Sequence, residues 1–220
     1  MISRPNRKEW IDMLELYITR HGETEWNVQK RMQGWSDSEL TENGRENARA
    51  LGNRLVDINF SSIYSSPSKR TLDTAKIIRN NKNTPIILED KLKEIHMGDW
   101  EGETHQTLSE KYPAAYTSFW ETPHLYESKS GENFTDLFNR AAEAVNRIIT
   151  ENTSGRVLMV THSVIIKCLF AYFKNRSMER LWDPPYIHDT SLTIVYVMDN
   201  GYEFLLEGDL SHRKSPSISD

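Results

Sequence analysis

One cysteine among 220 residues, Cys168, excludes an intrachain disulfide framework and points to a reducing compartment. Apolar runs are short, far below the roughly 20 residues that a membrane-crossing helix needs. The basic stretch Met1–Trp10 is not followed by the apolar core of a signal peptide. Neither sign of charge dominates: a formal net charge of −5 offers no basic face to a nucleic acid or an anionic membrane. The expectation is therefore a cytoplasmic protein with neither partner. No G-x-x-x-x-G-K-[ST] run exists, which removes the P-loop class, and no H-E-x-x-H or similar spacing suggests a metallohydrolase. Internal repeats and low-complexity blocks are also missing.

What remains is ordinary globular composition, 37% hydrophobic and 27% charged, of a length suited to one domain over 1–220. Leu14–Thr19, Ser62–Ser65, Pro85–Leu88 and Arg156–Thr161 read as short buried strands. Between them the apolar residues recur at helical spacing. One helix follows an N-cap at Thr41 and runs through Ala48, Leu51 and Leu55. Another opens at Ser66-Pro67, and a third carries Phe134, Leu137, Phe138, Ala141, Val145 and Ile148. Val164–Phe173 gives a fourth, and Asp199-Asn200-Gly201 turns a terminal hairpin. Residues 22–40 read as a loop with at most a short helix, 95–130 as an irregular or helical insertion after Glu94, and 211–220 as a polar tail. Strands alternating with helices predict an α/β fold, with a mainly parallel sheet covered on both faces and an antiparallel edge.

Ligands of such sheets bind beyond the carboxyl ends of the strands. Three strands lead there into Arg20-His21-Gly22, Ser65-Ser66-Pro67-Ser68-Lys69-Arg70 and His162-Ser163. Any one of these residues alone is better explained as a salt-bridge partner or a hydrogen-bonded structural histidine. Together, two arginines and two histidines at one sheet end cost Coulomb energy unless an anion offsets them. Arginines suit the oxygens of a phosphoryl group, and a neutral histidine can attack phosphorus. Gly22 would let the backbone approach such a ligand closely. A proton donor is then needed. The segment Lys93–Gly102 supplies Glu94, Asp99 and Glu101, among which spacing does not choose. Cys168 does not support a cysteine-based alternative, because position 174, where the required arginine would stand, is Lys174.

Arg20-His21-Gly22-Glu23-Thr24-x-Trp26-Asn27, with Gln33-Gly34, Asp37 and Leu40-Thr41-x-x-Gly44, resembles the phosphoglycerate mutase-like branch of the histidine phosphatase superfamily. Ser65-Ser66-Pro67-x-x-Arg70-Thr71-x-x-Thr74-Ala75, Glu94-Ile95-x-x-Gly98-x-Trp100-Glu101-Gly102 and Val160-Thr161-His162 continue the likeness in order, from about residue 14 to 212. Arg31–Trp35, Phe119–Tyr126, Leu181–Tyr186 and Glu207–His212 further resemble the bacterial PhoE-type broad-specificity phosphatases of that family. The resemblance implies a three-layer α/β/α sandwich, a small phosphorylated substrate, and neither cofactor nor metal. It implies His21 as phosphohistidine nucleophile, Arg20, Arg70 and His162 as phosphoryl ligands, and Glu94 as the acid that later activates water. Asn27, Gln33, Gly34, Thr24 and Ser163 would line the phosphate or substrate mouth. Trp35, Trp120 and Tyr186 would either wall an aromatic pocket or only pack the insertion. Ser163 departs from the family's usual glycine, placing a hydroxyl beside the phosphate. Residues 1–12 have no counterpart in the family, so Met13 is a second candidate start. The expected activity is phosphomonoester hydrolysis of broad specificity. The alternatives are a phosphoglycerate mutase and an inactive phospho-ligand-binding protein, while oligomeric state stays open.

Overall fold

The computed structural model describes residues 13–213, so the extension over 1–12 and the tail from 214 onward lie outside the described residues. Among these, six strands form one sheet: β1 (Leu14–Arg20), β2 (Ser62–Ser65), β3 (Ile86–Leu88), β4 (Gly155–Thr161), β5 (Leu192–Met198) and β6 (Gly201–Asp209), in the order β3-β2-β4-β1-β5-β6. β3, β2, β4 and β1 pair in parallel, and the antiparallel pairings lie at the β5 and β6 end. The register sets Arg20 beside Thr161 and Ser65 beside Val160. Three strands therefore end level, and the residues that follow them emerge at one place.

Alternation along the central strands decides the layers. Tyr17, Ile63, Leu158 and Val160 pack on one face with Leu51 and Leu55 and with Ala75 and Ile78, which come from α2 (Glu42–Arg54), its C-terminal neighbour, and α3 (Lys69–Arg79). Leu14, Leu16, Ile18, Val157 and Met159 face the opposite side. There they meet α6 (Phe134–Glu151) and α7 (Ser163–Lys174). Strands buried on both faces read as nearly continuous apolar runs, as β1 and β4 do. This is the three-layer α/β/α sandwich. The Thr41 hydroxyl caps α2 by accepting from the Gly44 amide at 2.9 Å, as its sequence predicts.

Two local expectations need correction. α3 begins at Lys69 rather than at Pro67, because the Ser66 amide is still held by Val160 of β4 at 3.1 Å. Pro67 precedes the cap, and the Thr71 hydroxyl ties the turn by donating to the carbonyls of Ser66 and Ser68. The tail also starts later than its polarity suggests. His212 meets the Thr190 hydroxyl at 3.3 Å, and Arg213 pairs with the Asp189 carboxylate at 2.8 Å.

The remaining helices are short. α1 (Glu25–Val28) is closed by a capping box between Thr24 and Asn27. The insertion folds into α4 (His105–Lys111) and α5 (Pro113–Glu121) with two 3-10 turns, Gly98–Trp100 and Pro123–Leu125. Its centre is an aromatic cluster of Trp100, Phe119, Tyr126, Phe134 and Trp182, with ring centroids 4.8–5.7 Å apart across most pairs. No described helix is long and apolar enough to cross a membrane.

Candidate active site

A cavity of about 450 Å³ opens over the carboxyl ends of β1, β2 and β4, with Arg20, His21, Arg70 and Glu94 on its wall. His21 is bound into the sheet end by its own amide, which donates to the Thr161 carbonyl at 2.9 Å. Its Nδ1 lies 2.7 Å from the Gly22 carbonyl, which can only accept, so Nδ1 carries the proton and Nε2 keeps a free lone pair. Burial, followed by the guanidinium charges of Arg70 and Arg20, holds the imidazole pKa well below its ordinary value. His21 is thus neutral and in one tautomer.

Gly22 serves a different purpose from the one expected of it. A Cβ there would stand 2.7 Å from the Gly44 carbonyl oxygen, and Gly22 is absent from the cavity wall. Its lack of a side chain lets the start of α2 cross the nucleophile loop, a contact that the sequence pattern does not reveal.

Arg70 is 1% exposed, yet its guanidinium is well supplied with partners. Nη1 donates to the Ser36 carbonyl at 2.7 Å and the Asp37 carboxylate at 2.9 Å, and Nη2 donates to the Gly34 carbonyl at 2.8 Å. Nη2 also lies 3.1 Å from His162 Nδ1. A guanidinium has no acceptor, so that ring nitrogen accepts and His162 Nε2 bears the proton, donated to the Ser66 hydroxyl at 2.9 Å. His162 therefore stands behind Arg70, with its ring centroid 5.3 Å from that of His21, and is not on the cavity wall. Burial above all, reinforced by Arg70, keeps it neutral. Arg20 reaches the Ile187 carbonyl through Nη1 at 3.0 Å. The Nε–H groups of both arginines are buried without a protein partner, which leaves two charge-bearing donors for an anion.

Of the three carboxylates, Glu94 lies on the cavity wall with His21, Arg20 and Arg70. Its carboxylate sits at the N-terminus of α7, accepting from the amides of Ile95, Val164 and Ile165 at 3.0–3.3 Å and from the Ser163 hydroxyl at 3.3 Å. The Ser163 hydroxyl thus meets the Glu94 carboxylate, and Ser163 lines the cavity. Glu101 is instead a scaffold, accepting from the Trp35 and Ser36 amides at 2.8 Å. Asp99 lies apart, on the rim of a separate apolar cavity with Trp100 and Tyr112.

Asn27, Gln33 and Gly34 reach the wall. The Asn27 Oδ1 is used by Thr24, which leaves its amide Nδ2–H₂ to donate. Thr24 itself is fully buried and accepts from Gln33 Nε2 at 2.8 Å, so it orders the loop without reaching the cavity. Trp120 and Tyr186 stand on the wall, whereas Trp35 does not. The Trp35 indole donates to the Glu94 carbonyl at 2.8 Å and packs tilted against His96 with ring centroids 4.6 Å apart, anchoring the Glu94 backbone instead. Sequence reading assigned no role to Asp37, although it belongs to the motif, nor to Lys30, Arg31, His105, His188 and Asp189, which line the mouth. Lys30 and Arg31 continue the motif loop and were visible as cations there. His188 and Asp189 lie on a stretch with no periodic signal.

Two buried neutral histidines make acid stability predictable. Each binds no proton while folded but binds one near pH 6.5 when unfolded, so their stabilising contribution is present above about pH 6.5 and is lost as pH falls. The melting temperature is expected to drop between pH 7 and pH 5, and His162→Asn should flatten that drop. A drop of equal steepness in the variant would contradict the assignment.

Known proteins resemble this chain along most of its length. Residues 16–209 match the histidine phosphatase superfamily (branch 1). The chain is 33% identical over 170 residues to phosphoserine phosphatase 1 of Hydrogenobacter thermophilus, covering 77% of this chain and 81% of that protein. It is 32% identical over 210 residues to phosphoglycerate mutase-like protein 4 of Arabidopsis thaliana, covering 93% and 89%. The solved structure of Bacillus stearothermophilus YhfR is 48% identical and superposes with a TM-score of 0.89, covering 90% of this chain and 98% of that one. With its motif residues gathered at the ends of β1, β2 and β4, the chain belongs to the histidine phosphatase superfamily, branch 1, and is a phosphatase of that superfamily.

Proposed function

We propose that this phosphatase hydrolyses phosphomonoesters of small metabolites, with broad specificity, through a phosphohistidine formed on His21. The observation that carries the reading is the 2.7 Å bond from His21 Nδ1 to the Gly22 carbonyl, which fixes an unprotonated Nε2 on a wall shared with Arg20 and Arg70. In the first step that lone pair attacks phosphorus as the bond to the ester oxygen breaks. Glu94, protonated, gives its proton to the departing oxygen, so the alcohol leaves neutral. The arginines and the Asn27 amide hold the equatorial oxygens, where charge spreads in the transition state. In the second step the Glu94 carboxylate takes a proton from water as its oxygen attacks phosphorus and the bond to Nε2 breaks. Inorganic phosphate leaves, with His21 neutral and Glu94 protonated again. His162 keeps Arg70 in register, and Asp37 anchors the same guanidinium.

The outer cavity supports a varied leaving group. Phe119, Trp120, Met97 and Tyr186 give it apolar surface, while Lys30 and Arg31 offer charge to a second anionic group. Relatives include enzymes named for phosphoserine and for glucosyl-3-phosphoglycerate. Tyr186 is 68% and Trp120 is 38% exposed, so the mouth admits water, the acceptor a hydrolase requires. A mutase must instead exclude water while a phosphoryl group waits on histidine. With 3-phosphoglycerate and a bisphosphorylated primer, release of inorganic phosphate should far outpace isomerisation. Isomerisation as the faster process would overturn the hydrolase reading in favour of the mutase.

A further inference from the structure

Lys167 is a buried cation that the chemistry above does not use. It lies on α7, one turn beyond the helix end that holds Glu94, and is only 6% exposed. Its ammonium donates to two backbone carbonyls, those of Asp183 and of Pro185, the latter at 2.7 Å. Those carbonyls belong to the connection between the 3-10 turn Met178–Arg180 and β5, which contains no helix or strand to hold it. The same connection carries three features of the active site. Tyr186 stands on the cavity wall, the Ile187 carbonyl accepts from Arg20 Nη1, and the Thr190 amide donates to the carbonyls of Arg20 and His21 at 3.0 and 3.3 Å.

We propose that Lys167 is a positioning residue: its charge holds the 183–188 connection so that Ile187 fixes the Arg20 guanidinium and Tyr186 borders the substrate mouth. A hydrogen bond from a charged donor is stronger than one from a neutral donor, and the far end of the segment is anchored by Ile187, which is buried in the core. The Trp182 indole on the Phe119 carbonyl anchors one end, and Arg180 binds the Asp183 carboxylate there. Along this stretch Lys167 holds the backbone at Asp183 and Pro185, and Arg20 meets it at Ile187. Burial brings its pKa down to about 8, with Asp183 opposing the shift and Arg176 adding to it. The positioning charge is therefore lost within a range in which His21 and His162, both already neutral, do not titrate. Loss of that charge is not unfolding. A lysine whose folded pKa lies below the unfolded value of about 10.4 makes a contribution to stability that rises, not falls, as pH climbs between the two.

The proposal rests on Arg20 serving as a phosphoryl ligand. The test uses p-nitrophenyl phosphate hydrolysis and inhibition by inorganic phosphate, measured from pH 6.5 to 9.5. At pH 7, Lys167→Met should raise KM and the phosphate inhibition constant about tenfold while changing kcat less. The wild-type KM should climb through about pH 8 and meet that of the variant near pH 9.5, while the variant's KM stays flat. Lys167→Arg, whose charge persists throughout, should keep a low KM with no step at pH 8. A merely structural lysine would lower the melting temperature of Lys167→Met and leave KM and its pH dependence as in the wild type, which overturns the proposal. If Lys167→Met does not fold, a wild-type KM that is flat across pH 8 overturns it equally. Arg20→Ala separates the two claims. If it leaves phosphate inhibition unchanged, the reading of Arg20 fails; if it weakens inhibition and Lys167→Met does not, only the role of Lys167 fails.

Discussion

His21→Ala is expected to reduce turnover by roughly 10⁴-fold or more, the scale seen when a covalent nucleophile is removed. The reason is specific to the arrangement around it. His21 Nε2 is unprotonated because Nδ1 is committed to the Gly22 carbonyl and because burial and two guanidinium groups oppose a second proton. The neighbouring imidazole, 5.3 Å away between ring centroids, cannot take over. His162 has both ring nitrogens engaged, with Arg70 and Ser66, and lies off the cavity wall. Arg20, Arg70 and Glu94 all remain in the variant, so inhibition by inorganic phosphate should persist while catalysis is lost. Rapid acid-free quenching with radiolabelled substrate should trap an acid-labile, alkali-stable phosphoryl group on the wild type and none on His21→Ala. Retained labelling or retained turnover would place the nucleophile elsewhere.

Arg70→Ala should be nearly as damaging but in a different way. Loss of a charge-assisted ligand to the phosphoryl oxygens removes about 3 kcal/mol of transition-state stabilisation, or roughly two orders of magnitude in kcat/KM. Phosphate inhibition should weaken together with turnover, in contrast to His21→Ala. Stability should also fall, because Asp37, the carbonyls of Gly34 and Ser36, and His162 Nδ1 all lose the partner they share. Arg70→Lys is not expected to restore activity, since a single ammonium cannot span acceptors that the planar fork meets on two nitrogens. A kcat/KM for Arg70→Ala within about threefold of the wild type would show that Arg70 is scaffold alone.

The site has two kinds of parts, unequally legible in the sequence. Residues that follow strands were easy to find. A short, apolar, β-rich run marks the strand, a parallel sheet presents its carboxyl ends to ligand, and polar residues at and beyond Arg20, Ser65 and Thr161 stand out against the apolar run. The supports were hard to find. Asp37 and Glu101 act on residues 33 and 66 positions away and Lys167 on carbonyls 16 and 18 positions away, and nothing in their local spacing sets them apart from surface charges. Gly22 illustrates the same limit, for its missing side chain accommodates Gly44 rather than a ligand.

The amino-acid sequence alone determined the layered α/β architecture, because apolar periodicity is a local property that dictates which face each element buries. It also put forward His21, Arg20, Arg70 and His162 as residue types that suit phosphoryl transfer, with Glu94 as one of three carboxylates beside them. Only the tertiary structure separated the three carboxylates, since Glu94 alone of them lies on the cavity wall with His21, Arg20 and Arg70. Likewise, the tertiary structure placed His162 behind Arg70, moved Trp35 off the pocket wall, and turned the Ser163 hydroxyl toward Glu94. Those outcomes depend on the direction of side chains that meet across long loops. Such directions follow from packing and from the need of every buried donor to find an acceptor, neither of which is written in any short stretch of chain.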